Sequence, residues 1–281
     1  MSSNVRTDGR AVLILTAGAI CISFAAILVK WIGLDKLGPT SIGFWRTLFG
    51  GCFLFLFGLL RGKSLKISRS VIGWAALAGF VFFLDLFFWD RSIIYAGAGL
   101  ATILANTQVF GTAILSFFLF KEKLTLRFIL AAVSAMIGVV LLVGLATDQV
   151  EFTQQYTIGI LLGLLTGVVY AHYIIILKKA GQSAHLPDIV VFIAWTSIFS
   201  ALYLGIAALI EGVRIIPPDT HSLLILLLLA LIAQALGWWA IFTSLKKVQA
   251  SRAGLILLLQ PILATIWGVL FFAEQLAWSQ I

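Results

Sequence analysis

Polar and charged residues gather in short clusters along this chain, and the stretches between the clusters are almost wholly apolar. The apolar stretches predict helices at about 11–32, 40–60, 71–94, 97–120, 126–146, 157–178, 188–211, 222–246 and 250–273. A helix of roughly 20 apolar residues crosses a hydrocarbon core ~30 Å thick, and each stretch is near or above that length. The connections are short and marked by Gly38-Pro39, Arg61-Gly62-Lys63, Gly181-Gln182-Ser183 and Pro217-Pro218, the residues that break or turn a chain. The pattern predicts an all-α polytopic membrane protein with no stretch left over for a soluble domain.

Composition agrees: 62% of residues are hydrophobic and 11% charged, against roughly 45–50% and 25% in an ordinary globular chain. The net charge of +8 therefore reads as topology, and no nucleic-acid partner is implied. Cys21 and Cys52 both sit inside apolar segments, which argues against a disulfide framework. The first apolar run is too long for a cleaved signal peptide and reads as a retained helix.

Basic residues set the orientation. Arg6, Arg10, Arg61, Lys63, Lys66, Arg69, Lys121, Lys123, Arg127, Lys178, Lys179, Lys246, Lys247 and Arg252 fall at one end of the predicted bundle. Only Lys30, Lys36, Arg91 and Arg214 fall at the other, and the connection near Asp148 and Glu151 has no Lys or Arg. The N-terminus is thus expected inside the cell, with the protein in a bacterial inner membrane.

A repeat underlies the segments. Displacing 249–276 by 152 residues places Ala250 on Ala98, Ala253 on Ala101, Gln260 on Gln108, Ile266 on Ile114, Phe272 on Phe120, Glu274 on Glu122 and Leu276 on Leu124. The matches share helix boundaries and the order of surrounding segments, so a tandem repeat is expected. One repeat covers 1–147 with five helices and the other 156–281 with four visible helices. Five helices per repeat is an odd number, so the second repeat is expected to be inverted relative to the first.

The small-residue start, the Gln260-Pro261 pair and the closing Phe271-Phe272-x-Glu274-x-Leu276 resemble the EamA repeat of the drug/metabolite transporter superfamily. Phe44-Trp45-Arg46 is similar to the aromatic-Arg signature of that repeat. Two departures stand out: Val109 occupies a position that is often Pro, and nine of ten expected helices are visible. The resemblance implies metabolite export, with the third, fourth, eighth and ninth helices lining a cavity and the first, second, sixth and seventh gating it. Within that superfamily the aromatic-rich interior is most similar to the aromatic amino-acid exporters.

Ionisable groups at membrane depth need a partner or a wet cavity. At ~1.5 Å per residue, Arg46 lies roughly 9 Å below the outer face, Asp85 roughly 14 Å and Asp90 about 6 Å. Arg46 is expected to pair with Asp85 or Asp90, either as a structural ion pair or with one member facing substrate or carrying a proton. Gln108, Gln260, Asn106 and Gln234 lie near the midplane, where amides serve as interhelical ties or as neutral donor-acceptor groups for a zwitterion. Pro261 removes one helix hydrogen bond and frees the Leu257 carbonyl.

Trp31, Trp74 and Trp278 suit interfacial anchors. Trp195, Trp238 and Trp239 lie deeper and are candidates for a cavity wall, together with Tyr170 and His172. A packed, hydrogen-bonded imidazole is the plainer reading of His172; a pH-dependent switch is the other. Gly159, Gly163 and Gly167 form a ladder that packs helices within one subunit, with a dimer seam or gate as the alternative.

No hydrolase, metalloprotease or nucleotide-binding motif occurs, nor a metal-ligand spacing. No cofactor is expected. The partners expected are a small solute and the bilayer, in a monomer or weak homodimer. The reading is a transporter exporting amino acids with aromatic or bulky apolar side chains. Cationic drugs are the alternative cargo, and a membrane-embedded enzyme the alternative class.

Overall fold

A computed structural model describes residues 8–33, 36–96, 98–143, 153–182 and 188–272. Arg6, Asp148, Glu151, Ser183, His185, Glu274, Leu276 and Trp278 lie outside them. All regular structure among the described residues is helical: α1 (Gly9–Ile32), α2 (Pro39–Leu60), α3 (Arg69–Ala96), α4 (Ala98–Asn106), α5 (Gln108–Phe120), α6 (Leu126–Val143), α7 (Gln154–Gly181), α8 (Ile189–Glu211), α9 (Thr220–Leu229), a π-helical segment (Ala230–Gly237), α10 (Trp238–Leu245), α11 (Ala250–Leu257) and α12 (Leu259–Phe272). α4 and α5 make one crossing, α9 to α10 a second, and α11 with α12 a third. Among the described residues, eight crossings are long and apolar enough to span a membrane. α6 adds an apolar helix of 18 residues, about 27 Å at ~1.5 Å per residue.

Short polar side chains start the helices. Asp8, Thr153, Asp188 and Asp219 each accept a backbone N–H of the first turn, and Pro39 occupies the first turn of α2, where its missing N–H costs nothing. Leu60, Leu126, Leu209, Ile210 and Leu270 are exposed. Apolar side chains on the outside as well as the inside are what a helix surrounded by lipid requires.

Successive crossings run in opposite directions, as contacts at the two ends establish. At the end holding the start of α1, the N-face, Lys247 pairs with Asp8 and Lys63 with Asp188. At the far face Arg91 pairs with Glu211, Ser41 and Trp45 donate to the carbonyls of Arg214 and Ile215, and Trp31 packs on Phe271. α1 therefore leaves the N-face while α7 leaves the far face.

The glycine ladder packs inside the chain. A Cβ on Gly159 would lie 2.8 Å from Tyr95 Cβ, one on Gly163 2.7 Å from Leu104 Cδ1, and one on Gly167 2.3 Å from Thr107 Oγ1. α7 thus sits against α3 and α4 with no room for a methyl group, and Ser92 Oγ donates to the Gly159 carbonyl at 2.8 Å.

The fourth crossing of each half is broken near the midplane, at Thr107 and at Leu258. Pro261 accounts for the second break by withholding an N–H from Leu257. The first break occurs without proline. Asn106 Nδ2 donates to the Thr102 carbonyl and Thr107 Oγ1 to the Leu104 carbonyl, and side chains that bond back to the helix compete with its backbone ladder.

A buried clasp closes the N-face. Glu122 accepts from Ala250 N at 2.9 Å, from Ser251 N at 3.2 Å and from Ser251 Oγ at 2.8 Å. Lys178 Nζ lies 3.2 Å from the same carboxylate and donates to the Val248 carbonyl. The start of α11 carries the positive end of a helix dipole, so the anion suits it twice over. Burial alone would raise the Glu122 pKa, but Lys178 and the three donors outweigh burial and hold it below the ordinary value.

Gly167→Ala is expected to cost ~1–3 kcal/mol by overpacking and to lower the melting temperature in detergent. Gly138→Ala, whose Cβ meets nothing within 4 Å, is expected not to lower it. Equal melting temperatures would remove the packing role of the ladder. For the clasp, Glu122→Gln or Lys178→Met alone is expected to cost ~3–5 kcal/mol and the double variant less, because one change strands a buried charge. The depressed Glu122 pKa adds stability above roughly pH 4.3, the ordinary Glu value, and that stability is lost as pH falls through the folded value. Glu122→Gln should therefore flatten the acid limb of the melting-temperature profile; an unchanged acid limb would refute this account.

Candidate functional site

The described helices enclose a cavity of about 110 Å³ between α1, α2, α3, α4, α7, α10 and α12. An apolar cavity of ~150 Å³ accepts a benzene ring, so this space in its present shape is smaller than one aromatic ring needs and must widen to hold an aromatic solute. It runs from the midplane, at Tyr170, Trp238 and Gln260, toward the far face at Trp89. Its walls are mostly apolar, with Ile22, Ala25, Ala26, Phe82, Leu86, Ala105, Pro261 and Ala264 among them. Polar groups are few, which is the usual make-up of a small-molecule site.

Of the residues singled out in the sequence, Arg46, Asp85, Asn106, Tyr170, Trp238, Gln260 and Pro261 meet at this cavity. Gln260 Nε2 donates to the Tyr170 hydroxyl at 3.2 Å, joining α12 to α7 across the wall. Asn106, also on the wall, spends its Nδ2 on the Thr102 carbonyl. Trp238 stands edge-on to Tyr170, Tyr173 and Phe82, with ring centroids 6.0, 4.7 and 5.2 Å away.

The charged residues are not arranged as the expected ion pair. Among the described residues no salt bridge joins Arg46 to Asp85 or Asp90. Arg46 is 6% exposed and Asp85 9%, and both Arg46 Nε and Asp85 Oδ1 are buried without a hydrogen-bond partner. Arg46 faces the Phe82 ring at 6.0 Å. Asp90 is not among the cavity-lining residues. Arg91 leaves the interior altogether: it lies over the Phe87 ring at 3.2 Å and pairs with Glu211 at the far face.

The remaining candidates lie elsewhere. Gln108 is fully buried between α5 and α11, donating to the Gly254 carbonyl at 3.0 Å and accepting from Thr112 at 3.0 Å. Gln234 lies in the π-helical segment and donates to Ser197 Oγ at 3.0 Å, packed where Gly50 of α2 leaves room. Trp239 packs edge-on against Phe57. Trp195 donates to the Leu65 carbonyl near the N-face. His172 is exposed on α7, its Nδ1 2.8 Å from the Val168 carbonyl. None of these five lines the cavity.

Two groups escaped the sequence reading. Ser23, Thr102 and Thr166 line the cavity, and small hydroxyls in apolar helices are too common to stand out. Ser23 accepts from Trp267 at 2.9 Å. Glu122 marks the repeat in sequence, but nothing there ties it to Lys178.

Toward the N-face the cavity is shut. Phe82 stacks on Tyr173 at 4.8 Å, and Phe192 packs on Phe242 at 5.4 Å; Tyr173, Phe192 and Phe242 are wholly buried. The Glu122 clasp lies at that face as well.

The chain is similar to known transporters. At 26% identity over 77% of this chain and 70% of the other, it aligns with an uncharacterised transporter of Clostridium kluyveri. A probable amino-acid metabolite efflux pump of Salmonella typhimurium is 26% identical over 66% of this chain and 62% of that protein. A solved crystal structure with 19% identity superposes at a TM-score of 0.83, covering 98% of this chain and 92% of that one, which shows a shared fold. The sequence profile of the EamA-like transporter family matches residues 9–144 and again 157–281. The chain belongs to the EamA-like transporter family.

Proposed function

We infer that this transporter exports amino acids with aromatic or bulky apolar side chains across a bacterial inner membrane by alternating access. The observation that carries the reading is a cavity, apolar and aromatic in its walls, with a few buried polar groups and with Phe82 stacked on Tyr173 on its N-face side. The relative named a probable amino-acid metabolite efflux pump supports the substrate class. The excess of Lys and Arg at the N-face supports a cytoplasmic N-terminus, and in that orientation the cavity lies in the outer half while the Glu122 clasp closes the inner side. Export of cationic drugs is the second reading, favoured by the buried Asp85 carboxylate at the cavity wall.

Purified protein in liposomes, offered labelled phenylalanine, methionine and a quaternary ammonium in turn, tests both. Uptake of the two amino acids is the expected result; uptake of the quaternary ammonium alone would transfer the assignment to drug export. Gln260→Ala is expected to slow phenylalanine transport about fivefold, the equivalent of ~1 kcal/mol of hydrogen bonding, with little change in melting temperature. Unchanged transport by that variant would take Gln260 out of the site. For the orientation, single cysteines at Ser64 and Gln154 are introduced after removal of Cys21 and Cys52. Only the Gln154 position should react with a membrane-impermeant thiol reagent in intact cells; reaction at Ser64 would reverse the topology.

A further inference from the structure

Arg46 and Asp85 are a basic and an acidic side chain at one cavity, and no salt bridge joins them. Each is more than nine-tenths buried, each lines the same space, and each keeps a buried polar atom, Nε and Oδ1, without a partner. A buried charge without a partner is costly, so neighbouring groups normally satisfy it. Elsewhere in this molecule they do: Glu122 has three hydrogen bonds and Lys178, and Arg91 has Glu211 and the Phe87 carbonyl. Among the described residues, Arg46 Nε and Asp85 Oδ1 are the charged-group atoms that are buried without a hydrogen-bond partner, and both residues line the cavity.

We propose that Arg46 and Asp85 are the two poles of a zwitterion site, Arg46 taking the carboxylate of an α-amino acid and Asp85 its ammonium group. A guanidinium presents a planar fork of donors that matches a carboxylate. An ionised aspartate only accepts, so it matches an ammonium. A zwitterion that bridges the two satisfies both charges without adding net charge to the interior. A lone cation leaves Arg46 unmatched, and a lone anion leaves Asp85 unmatched. Trp238, whose Nε1 is also buried without a partner, and Phe82 then stand beside the substrate side chain. The proposal rests on the amino-acid reading above and adds which groups choose the backbone of the substrate.

The test uses three ligands of one shape: phenylalanine, phenethylamine (no carboxylate) and 3-phenylpropionate (no ammonium). Each is measured by competition against labelled phenylalanine in liposomes and by ligand-induced shift of melting temperature in detergent. In the wild type, phenylalanine is expected to bind at least about tenfold more tightly than either analogue, since a hydrogen bond to a charged group is worth ~1.5–3 kcal/mol. Arg46→Gln is expected to weaken phenylalanine and 3-phenylpropionate about tenfold and to spare phenethylamine. Asp85→Asn is expected to weaken phenylalanine and phenethylamine and to spare 3-phenylpropionate.

A merely structural role does not produce that crossed pattern. If Arg46→Gln does not give a monodisperse protein, Arg46→Lys replaces it, with phenylalanine weakened several-fold and phenethylamine unchanged. Equal weakening of all three ligands by each variant overturns the proposal and leaves amino-acid export standing. So does a wild type that binds either analogue as tightly as phenylalanine. A wild type that neither binds nor moves any amino acid brings down the substrate class first, and the proposal with it.

Discussion

In the hydrocarbon of a bilayer no water accepts a stray N–H or donates to a stray carbonyl, so each backbone group needs a partner inside the protein. That requirement dictates continuous helices across the membrane and allows a break only where protein or a wet cavity surrounds it. Both interior breaks in this chain obey it. Around Thr107 the side chains of Asn106 and Thr107 bond back to the carbonyls of Thr102 and Leu104, and the Thr107 N–H also reaches the Leu104 carbonyl. Around Leu258 the segment borders the cavity lined by Gln260 and Pro261. The two breaks occupy matching places in the two halves and are reached by different chemistry.

Charge follows the same economy. At the two faces four pairs of ionisable side chains are matched: Asp8 with Lys247, Asp188 with Lys63, Glu211 with Arg91, Glu122 with Lys178. Three of these pairs have at least one partly exposed member, where water shares the work and the pair is worth little. The Glu122 pair is almost completely enclosed, and there four donors replace the lost water. Between the faces, Arg46 and Asp85 each keep a buried atom without a partner, and both line the cavity.

The sequence made depth legible and left azimuth hidden. The apolar runs placed the outer ends of the described crossings to within three residues, because the length of an apolar run is set by the thickness it crosses, but they did not show the interior breaks at Thr107 and Leu258 or the π-helical segment. Counting residues from a helix end put Gln108, Gln234 and Gln260 near one plane. Which side of its helix each amide occupies depends on how neighbouring helices are rotated. In helices apolar on every side, no stripe of polar residues reports that rotation. Hence Gln260 at the cavity, Gln234 against Ser197 and His172 on the outer surface could not be told apart beforehand. Where close approach required a glycine, as at Gly159, Gly163 and Gly167, the packing seam was readable because the absent side chain is itself the signal. The partnership of Glu122 with Lys178 was not readable, since the two lie on different segments and either alone resembles a residue at a membrane edge.

The matched glutamines show how far a duplicated position can drift from its twin. Gln108 and Gln260 descend through equivalent places in their halves, yet one is locked to the Gly254 carbonyl with Thr112 and the other holds the Tyr170 hydroxyl beside open space. A transporter made of two mirrored halves needs unlike halves at any instant, since two identical ones would open both sides or neither. Under the alternating-access mechanism proposed above, the inequality of these two amides would record which way the molecule is turned, and their hydrogen-bond partners would serve as a spectroscopic compass for it.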